Sequence, residues 1–228
     1  MIFRIGICDD NPNYLKMLAK EFEYFKVQNV DVQLEMHEDG KNLLDKIYEY
    51  DLLILDIQMP NITGLDIKEK VEKNGIPIIF FTNYDKYMKF SFGKNVYGFV
   101  KKDDLLELKE IVKKIIFEKA SNEVVIIANQ KINLSDIIYL KADTVYTEIY
   151  TNDRQIIIRK ALREFLDKLD CLLFFRVHRT YAVNMKYIKN ITKNNVRLSN
   201  GVEIPISRTR YDNFIKRYIK FLNGDIIK

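Results

Sequence analysis

In the first half of the chain, acidic, hydroxyl and ammonium side chains stand at or shortly after the ends of short apolar segments. These residues are Asp9, Asp10, Asp56, Thr82 and Lys102. If the segments are parallel strands of one sheet, their carboxyl ends share an edge, so the five side chains converge. Three carboxylates brought together repel one another unless a cation lies among them, and hard oxygen ligands suit Mg²⁺. An aspartate there can attack a phosphoryl group and carry it covalently, while the metal, the lysine and the hydroxyl neutralise the phosphate.

Each of these residues also has a simpler explanation. Asp9 and Asp10 could cap the following helix, and Asp56 could belong to the loop that leads to a proline turn. Thr82 could end a strand, and Lys102 could be solvated. Taken singly, the simpler explanations are favoured. The shared position of all these residues at one sheet edge favours a site.

The elements that would position this site alternate between strand-like and helical patterns. Such alternation predicts a doubly wound, five-stranded parallel sheet of the α/β class, with right-handed crossovers. The predicted strands are Ile2–Cys8, Val32–Met36, Leu52–Leu55, Pro77–Phe81 and Tyr97–Val100. The predicted helices are Asn13–Lys26, Gly64–Lys73 and Leu105–Phe117.

The second half has a different pattern, mostly short strands joined by polar turns. Residues 1–118 and 124–228 are therefore predicted to be separate domains, joined by a linker at Lys119–Glu123. Asn129–Gln130, Asn152–Asp153 and Asn200–Gly201 fall where hairpin connections are expected. Two helical patterns interrupt the strands, at Lys160–Leu169 and Arg210–Phe221. The predicted strands are Val124–Ala128, Ile137–Lys141, Val145–Tyr150, Gln155–Ile158, Ile188–Thr192 and Asn195–Leu198.

Charge divides the chain in the same way. The net charge is −4 through Glu118 and +9 from Lys119 onward, which makes nucleic acid a candidate partner of the second half. The two cysteines, Cys8 and Cys171, lie far apart in apolar segments and are expected to be reduced core residues. No segment approaches the roughly 20 apolar residues of a membrane span, and the N-terminus is not a signal peptide. We therefore expect a cytoplasmic protein without a membrane partner.

Four motifs of the first half resemble the receiver domain of two-component response regulators. They are IGICDDN (5–11), LLILDIQMPNITGLD (52–66), PIIFFTN (77–83) and GFVKK (98–102). The resemblance implies a flavodoxin-like fold, with Asp56 as the phosphoacceptor and Mg²⁺ as the cofactor. It further implies these roles: Asp9, Asp10, Asp56 and the Gln58 carbonyl as metal ligands, Thr82 and Lys102 as phosphate-binding residues, and Phe99 as the aromatic switch.

Two residues depart from the receiver pattern. Asp103 stands where a proline is usual, and Asn83 stands where a small residue is usual. Both favour an alternative in which the protein regulates without phosphorylation and the receiver is only a protein-interaction platform. A second alternative is a phosphatase with Asp56 as nucleophile. That class places an aspartate two residues later, where this chain has Gln58.

The second half carries two basic segments, RVHRTYAVN (176–184) and SRTR (207–210). Arginine suits phosphates and guanine edges because its guanidinium can donate two parallel hydrogen bonds. Solvated surface arginines or internal salt bridges are the alternative. The sequence contains no helix-turn-helix or zinc-finger pattern, so these residues alone indicate a basic, β-rich domain.

Four blocks of this half resemble the LytTR DNA-binding domain, the output domain of AgrA/LytR-type response regulators. They are IIYLKADTVYTEIYT (137–151), RKALREFLDKLD (159–170), FFRVHRTYAVNMKYIKNI (174–191) and VEIPISRTRYDNF (202–214). The resemblance implies loops that enter the major groove of double-stranded DNA. It implies base contacts from Arg179 and Arg208, and from Tyr146 in the loop Asp143–Thr147, where Thr144 and Thr147 are rivals. Arg176, His178 and Arg210 complete the predicted DNA-binding set, of which Arg176 and His178 match the loop framework.

The whole sequence is thus expected to encode a transcription regulator rather than an enzyme, apart from slow loss of its own phosphate. A sensor histidine kinase would phosphorylate Asp56. The resulting change at the helix 4–strand 5 surface would favour a homodimer that binds paired DNA sites.

Overall fold

A computed structural model describes residues 1–25, 27, 30–83, 93–169 and 172–222. The chain forms two compact units, divided between Ile116 and Phe117. Cys171 and residues 84–92, the segment before the fifth strand where the helix part of the surface expected to respond to phosphorylation would fall, lie outside the described residues. Among the described helices, none is long and apolar enough to cross a membrane.

The first unit is a parallel sheet with the strand order β2-β1-β3-β4-β5. The neighbouring interior strands β3 and β4 are buried along their whole length, as expected for a parallel sheet covered on both faces. The five predicted strands are present, which confirms the α/β class. The elements are β1 (Ile2–Cys8), α1 (Pro12–Glu23), β2 (Asp31–His37), α2 (Gly40–Asp45), β3 (Leu52–Leu55), α3 (Gly64–Val71), β4 (Ile78–Phe81), β5 (Val96–Val100) and α4 (Leu105–Ser121).

Helix α4 is longer than the sequence pattern indicated. It was predicted to end at Phe117, but it continues to Ser121 and takes in three of the five residues assigned to the linker. Lys119 and Ala120 are good helix formers, and a lysine in the last turn interacts favourably with the helix dipole. Only Asn122 and Glu123 separate the helix from the next strand.

The second unit is mainly β, as predicted. It contains the antiparallel sheet β10-β9-β8-β12-β11, the three-stranded sheet β13-β14-β15 and the hairpin β6-β7. Its elements are β6 (Val124–Ile127), β7 (Gln130–Asn133), β8 (Ile137–Asp143), β9 (Tyr146–Thr151), β10 (Gln155–Ile158), α5 (Leu162–Lys168), β11 (Phe174–His178), β12 (Tyr181–Asn184), β13 (Ile188–Ile191), β14 (Asn195–Leu198), β15 (Glu203–Pro205) and α6 (Arg208–Leu222).

Two hydrophobic clusters pack against the antiparallel sheet β10-β9-β8-β12-β11 of the second unit. Leu140 of β8 and Ile149 of β9 belong to the first cluster, in which they pack with the apolar face of α5 around Phe165. Val183 belongs to the other cluster, which includes Phe214 of α6. Because the sheet is packed in this way, the connections between its strands begin from fixed backbone positions.

Candidate functional site

The first candidate site lies at the carboxyl end of the parallel sheet. Carboxylate oxygens of Asp9, Asp10 and Asp56 lie within 4.8 Å of one another. Asp9 and Asp56 are buried, whereas Asp10 is exposed. A cavity of about 690 Å³ opens onto Asp10 and Asp56 and is also lined by Gln58 and Lys102. The structure therefore brings together the acids that the sequence placed at this edge.

Lys102 lies between two of these acids. Its Nζ atom is 2.6 Å from Asp9 Oδ2 and 2.8 Å from Asp56 Oδ2. Burial by itself would lower the pKa of Lys102, but the hydrogen bonds and charges of Asp56 and Asp9 together raise it above its ordinary value. Lys102 is therefore a fixed positive charge beside Asp56, and its neighbour Lys101 is exposed.

The remaining oxygens of the two buried acids differ in their partners. Asp9 Oδ1 accepts a hydrogen bond from the Asn11 backbone N–H at 3.0 Å. Asp56 Oδ1 is buried and has no hydrogen-bond partner in the described part of the chain. Burial raises the pKa of Asp9, an effect that Lys102 opposes. A buried carboxylate oxygen without a donor, next to two further acids, suits a hard cation.

The backbone around Asp56 is tightly constrained. The Gly64 N–H donates to the Ile57 carbonyl, and a Cβ atom on Gly64 would lie 2.2 Å from the Asp56 carbonyl oxygen. Helix α3 begins there with a capping box, in which Thr63 and Asp66 each bond the other's backbone N–H. Only glycine fits at position 64 without moving the Asp56 backbone.

Two residues predicted for this site do not form part of the cavity wall. Thr82 is completely buried after β4, and Phe99 is half-buried in β5. Neither is among the residues that line the cavity.

Tyr14 and Asn83 are among the other residues that do line the cavity. Tyr14 was overlooked, and Asn83 was noted only as a departure from the receiver pattern. The sequence feature that could have indicated Tyr14 is its position in the first turn of α1, four residues after Asp10.

The second candidate site is formed by the β11–β12 connection and the start of α6. Arg179 and Arg208 are both exposed, as base-contacting residues must be. Arg176 and Arg210 instead bond the protein backbone. Arg176 Nη2 donates to the Arg179 carbonyl at 2.5 Å, and Arg210 Nη1 donates to the Arg176 carbonyl at 3.3 Å.

His178 is also bonded within the same loop. Its Nδ1 atom lies 2.8 Å from the Thr180 hydroxyl and accepts from the Thr180 N–H at 3.3 Å. Burial and then the charges of Arg179, Arg210 and Arg176 lower the pKa of His178. These bonds involve the neutral ring, which orders the loop that presents Arg179.

The β8–β9 hairpin contains the loop predicted to make the first DNA contact. Thr144 adopts a left-handed conformation with φ of 54°, and both Thr144 and Tyr146 are exposed. Thr147 is completely buried, and its hydroxyl donates to the Lys160 carbonyl at 2.7 Å. The exposed candidates in this loop are therefore Tyr146 and Thr144, rather than Thr147.

Comparison with known proteins gives two family matches. Residues 5–115 match the response regulator receiver domain, and residues 128–218 match the LytTr DNA-binding domain. A sensory transduction protein LytT of Bacillus subtilis is 28% identical, covering 91% of this chain and 95% of the relative. A transcriptional regulatory protein LytR of Staphylococcus aureus is 26% identical, covering 91% and 96%. A LytT protein of Oceanobacillus iheyensis is 28% identical, covering 92% and 94%.

The two matches define a receiver domain joined to a DNA-binding output domain. The chain belongs to the LytTR family of two-component response regulators and is a transcription regulator. The domains imply DNA and a histidine kinase as its partners.

Proposed function

We propose that Asp56 accepts a phosphoryl group from a histidine kinase. The observation that carries this proposal is the Asp56 carboxylate itself, which faces a cavity and is paired with Lys102 on one oxygen, while its second oxygen has no hydrogen-bond partner among the described residues. In the transfer, an Asp56 oxygen attacks phosphorus. The bond from phosphorus to the kinase histidine breaks, and the electron pair returns to the imidazole nitrogen.

We propose that Mg²⁺ is held by Asp9, Asp10, Asp56 and the Gln58 carbonyl, with Asp10 the more direct ligand of the first two. The clustered carboxylate oxygens and the unpartnered Asp56 Oδ1 fit such an ion. When bound, the ion would neutralise charge on the phosphoryl oxygens. We propose that Lys102 would contribute a second positive charge and that Thr82, which follows β4, would bond a phosphoryl oxygen.

We propose that the C-terminal domain binds double-stranded DNA sequence-specifically, in the major groove. Arg179 and Arg208 are the proposed base contacts because both are exposed, Arg179 in the β11–β12 connection and Arg208 at the start of α6. Tyr146 is the proposed contact from the β8–β9 hairpin. Arg176, His178 and Arg210 hold the backbone of the Arg179 loop. These three residues therefore act on DNA binding through that loop.

We further propose that phosphorylation and movement of Phe99 favour a homodimer on paired DNA sites. The proposed receiver extends to about residue 118 and the output domain begins at Val124. The protein would act in the cytoplasm, where the kinase and DNA are both accessible. Apart from hydrolysis of its own phosphoaspartate, no enzymatic activity is proposed.

The test is labelling of the full chain with a radioactive small-molecule phosphodonor in the presence of Mg²⁺. Wild type should take up label, Asp56→Asn should not, and chelation of the metal should abolish labelling. Asp45→Asn, at an exposed aspartate of α2, is the matched control and should label normally. Equal labelling of wild type and Asp56→Asn would overturn the proposal and favour the phosphorylation-independent alternative. DNA duplexes selected from a random library, with and without phosphodonor, then test the coupling to output.

A further inference from the structure

An aromatic ring completes the surroundings of the Lys102 ammonium group. Lys102 Nζ lies 4.1 Å from the centroid of the Tyr14 ring. The same atom is bonded to Asp9 and Asp56. A cation over an aromatic face at this distance is attracted by the negative charge of the ring face. The ammonium is thus held by two carboxylates and one ring.

Asn83 links the same two residues by a second route. Its Oδ1 atom accepts from the Lys102 backbone N–H at 3.2 Å, and its Nδ2 atom donates to the Tyr14 hydroxyl at 3.4 Å. Tyr14, Asn83 and Lys102 all line the cavity onto which Asp56 opens. The side chain that departs from the receiver pattern therefore connects the ring to the lysine.

The Tyr14 ring is not required for the core that α1 contributes to. The buried residues of this helix are Leu15, Leu18 and Phe22, which recur at the three- and four-residue spacing of one face. Tyr14 is half-buried and lies outside that series. Its position follows from the start of α1, where Asn11 caps the helix and Pro12 occupies the first turn, immediately after the acid pair.

We propose that Tyr14 is a positioning residue for Lys102 in the phosphorylation of Asp56, and that Asn83 supports it. The ring covers one side of the ammonium, which limits both its movement and its hydration. A less hydrated charge in a buried pocket interacts more strongly with the negative charge that develops on the phosphoryl oxygens. This inference rests on the proposed function of Asp56.

The experiment measures the initial rate of Asp56 labelling by a small phosphodonor, so that kinase contacts play no part. Tyr14→Leu should lower the rate about fivefold to thirtyfold, the equivalent of about 1–2 kcal/mol for a partly desolvated cation–π pair. Tyr14→Phe keeps the ring and should stay within about twofold of wild type. Asn83→Ala, at an exposed position, should produce a smaller decrease. Tyr24→Leu, at an exposed tyrosine at the end of the same helix, is the control and should change nothing.

A double-mutant cycle separates positioning from a general structural effect. If Tyr14 acts through Lys102, then Tyr14→Leu should have no further effect on the labelling rate in a Lys102→Met background. Additive losses, or a wild-type rate for Tyr14→Leu, would overturn the inference. If Tyr14→Leu does not fold, a wild-type rate for Asn83→Ala would overturn it instead. Failure of the proposed function is distinguishable, because wild type itself would then take up no label that depends on Asp56.

Discussion

Replacement of Arg176 by alanine tests whether an arginine of the basic segment acts on DNA through its neighbour. The substitution removes the hydrogen bond from the Arg176 guanidinium to the Arg179 carbonyl, at 2.5 Å, but leaves Arg179 itself in place. A hydrogen bond from a charged donor is worth about 1.5–3 kcal/mol. If this energy fixes the loop for binding, affinity for a selected duplex should fall about tenfold to about 150-fold.

Fluorescence anisotropy over a range of salt concentrations provides the assay. Affinity for a random duplex and the slope of log K against log salt should both stay close to wild type, because the guanidinium is turned toward the protein. Loss of a phosphate contact would instead reduce the slope by about 0.9. The control is Arg197→Ala, which removes an exposed arginine of β14 and thus the same charge.

A double substitution completes the test. Arg179→Ala alone should remove about 1–3 kcal/mol of base discrimination. Adding Arg176→Ala to it should cost little more, since the loop then has no base contact left to position. Equal weakening on every duplex with a lower salt slope, or full additivity with Arg179→Ala, would refute the reasoning.

Four further substitutions test other parts of the structure. Gly64→Ala should greatly reduce the labelling of Asp56, because the added Cβ would meet the Asp56 carbonyl oxygen at 2.2 Å; a wild-type labelling rate would contradict this. The pKa of His178 is lowered from 6.5 on folding, so the unfolded chain takes up the proton first as pH falls. Stability should therefore decrease below about pH 6.5, and His178→Gln should show a smaller decrease in thermal unfolding midpoint over that range; an unchanged pH dependence would argue against it. Thr147→Val should lower stability by about 1 kcal/mol through loss of its hydroxyl bond, whereas Tyr146→Ala should weaken DNA binding at unchanged stability. If instead Thr147→Val weakened DNA binding and Tyr146→Ala lowered stability, Thr147 rather than Tyr146 would be the DNA contact.

The receiver half was predictable because a buried parallel sheet leaves a strong pattern in the sequence. Strands β3 and β4 are covered on both faces, so every position is apolar and the strand ends are marked by the first polar residue. Helix α2 was not predicted, since its six residues are too few for a helical period to be recognised. The structure gives a role to Asp104, which follows the unusual Asp103. Its side chain accepts a hydrogen bond from the Glu107 backbone N–H at the start of α4.

The output half was less predictable because its strands are short and carry polar residues. Strands β11 and β12 were not predicted, although they flank the proposed Arg179 loop. Their sequence, FFRVHRTYAVN, was interpreted as a basic segment and as part of a block that resembles the LytTR domain, but not as two strands. Sequence alone also cannot show where a long arginine side chain ends. Arg176, which bonds a backbone carbonyl, and Arg179, which is exposed, are of the same residue type and lie three positions apart.

The net charge of the acidic pocket explains why the proposed phosphorylation of Asp56 would need a cation as well as a nucleophilic oxygen. With Asp9, Asp10 and Asp56 ionised and Lys102 protonated, the pocket carries a net charge of −2. The proposed phosphorylation would convert the Asp56 carboxylate into the uncharged acyl part of a mixed anhydride but would add a phosphoryl group of about −2, so the net charge would become about −3. Lys102 is a buried cation bonded to Asp56, and in the proposed transfer it would exchange that bond for one to the phosphoryl group. A divalent cation would reduce the charge of the phosphorylated pocket to about −1, so phosphorylation and metal binding should each strengthen the other.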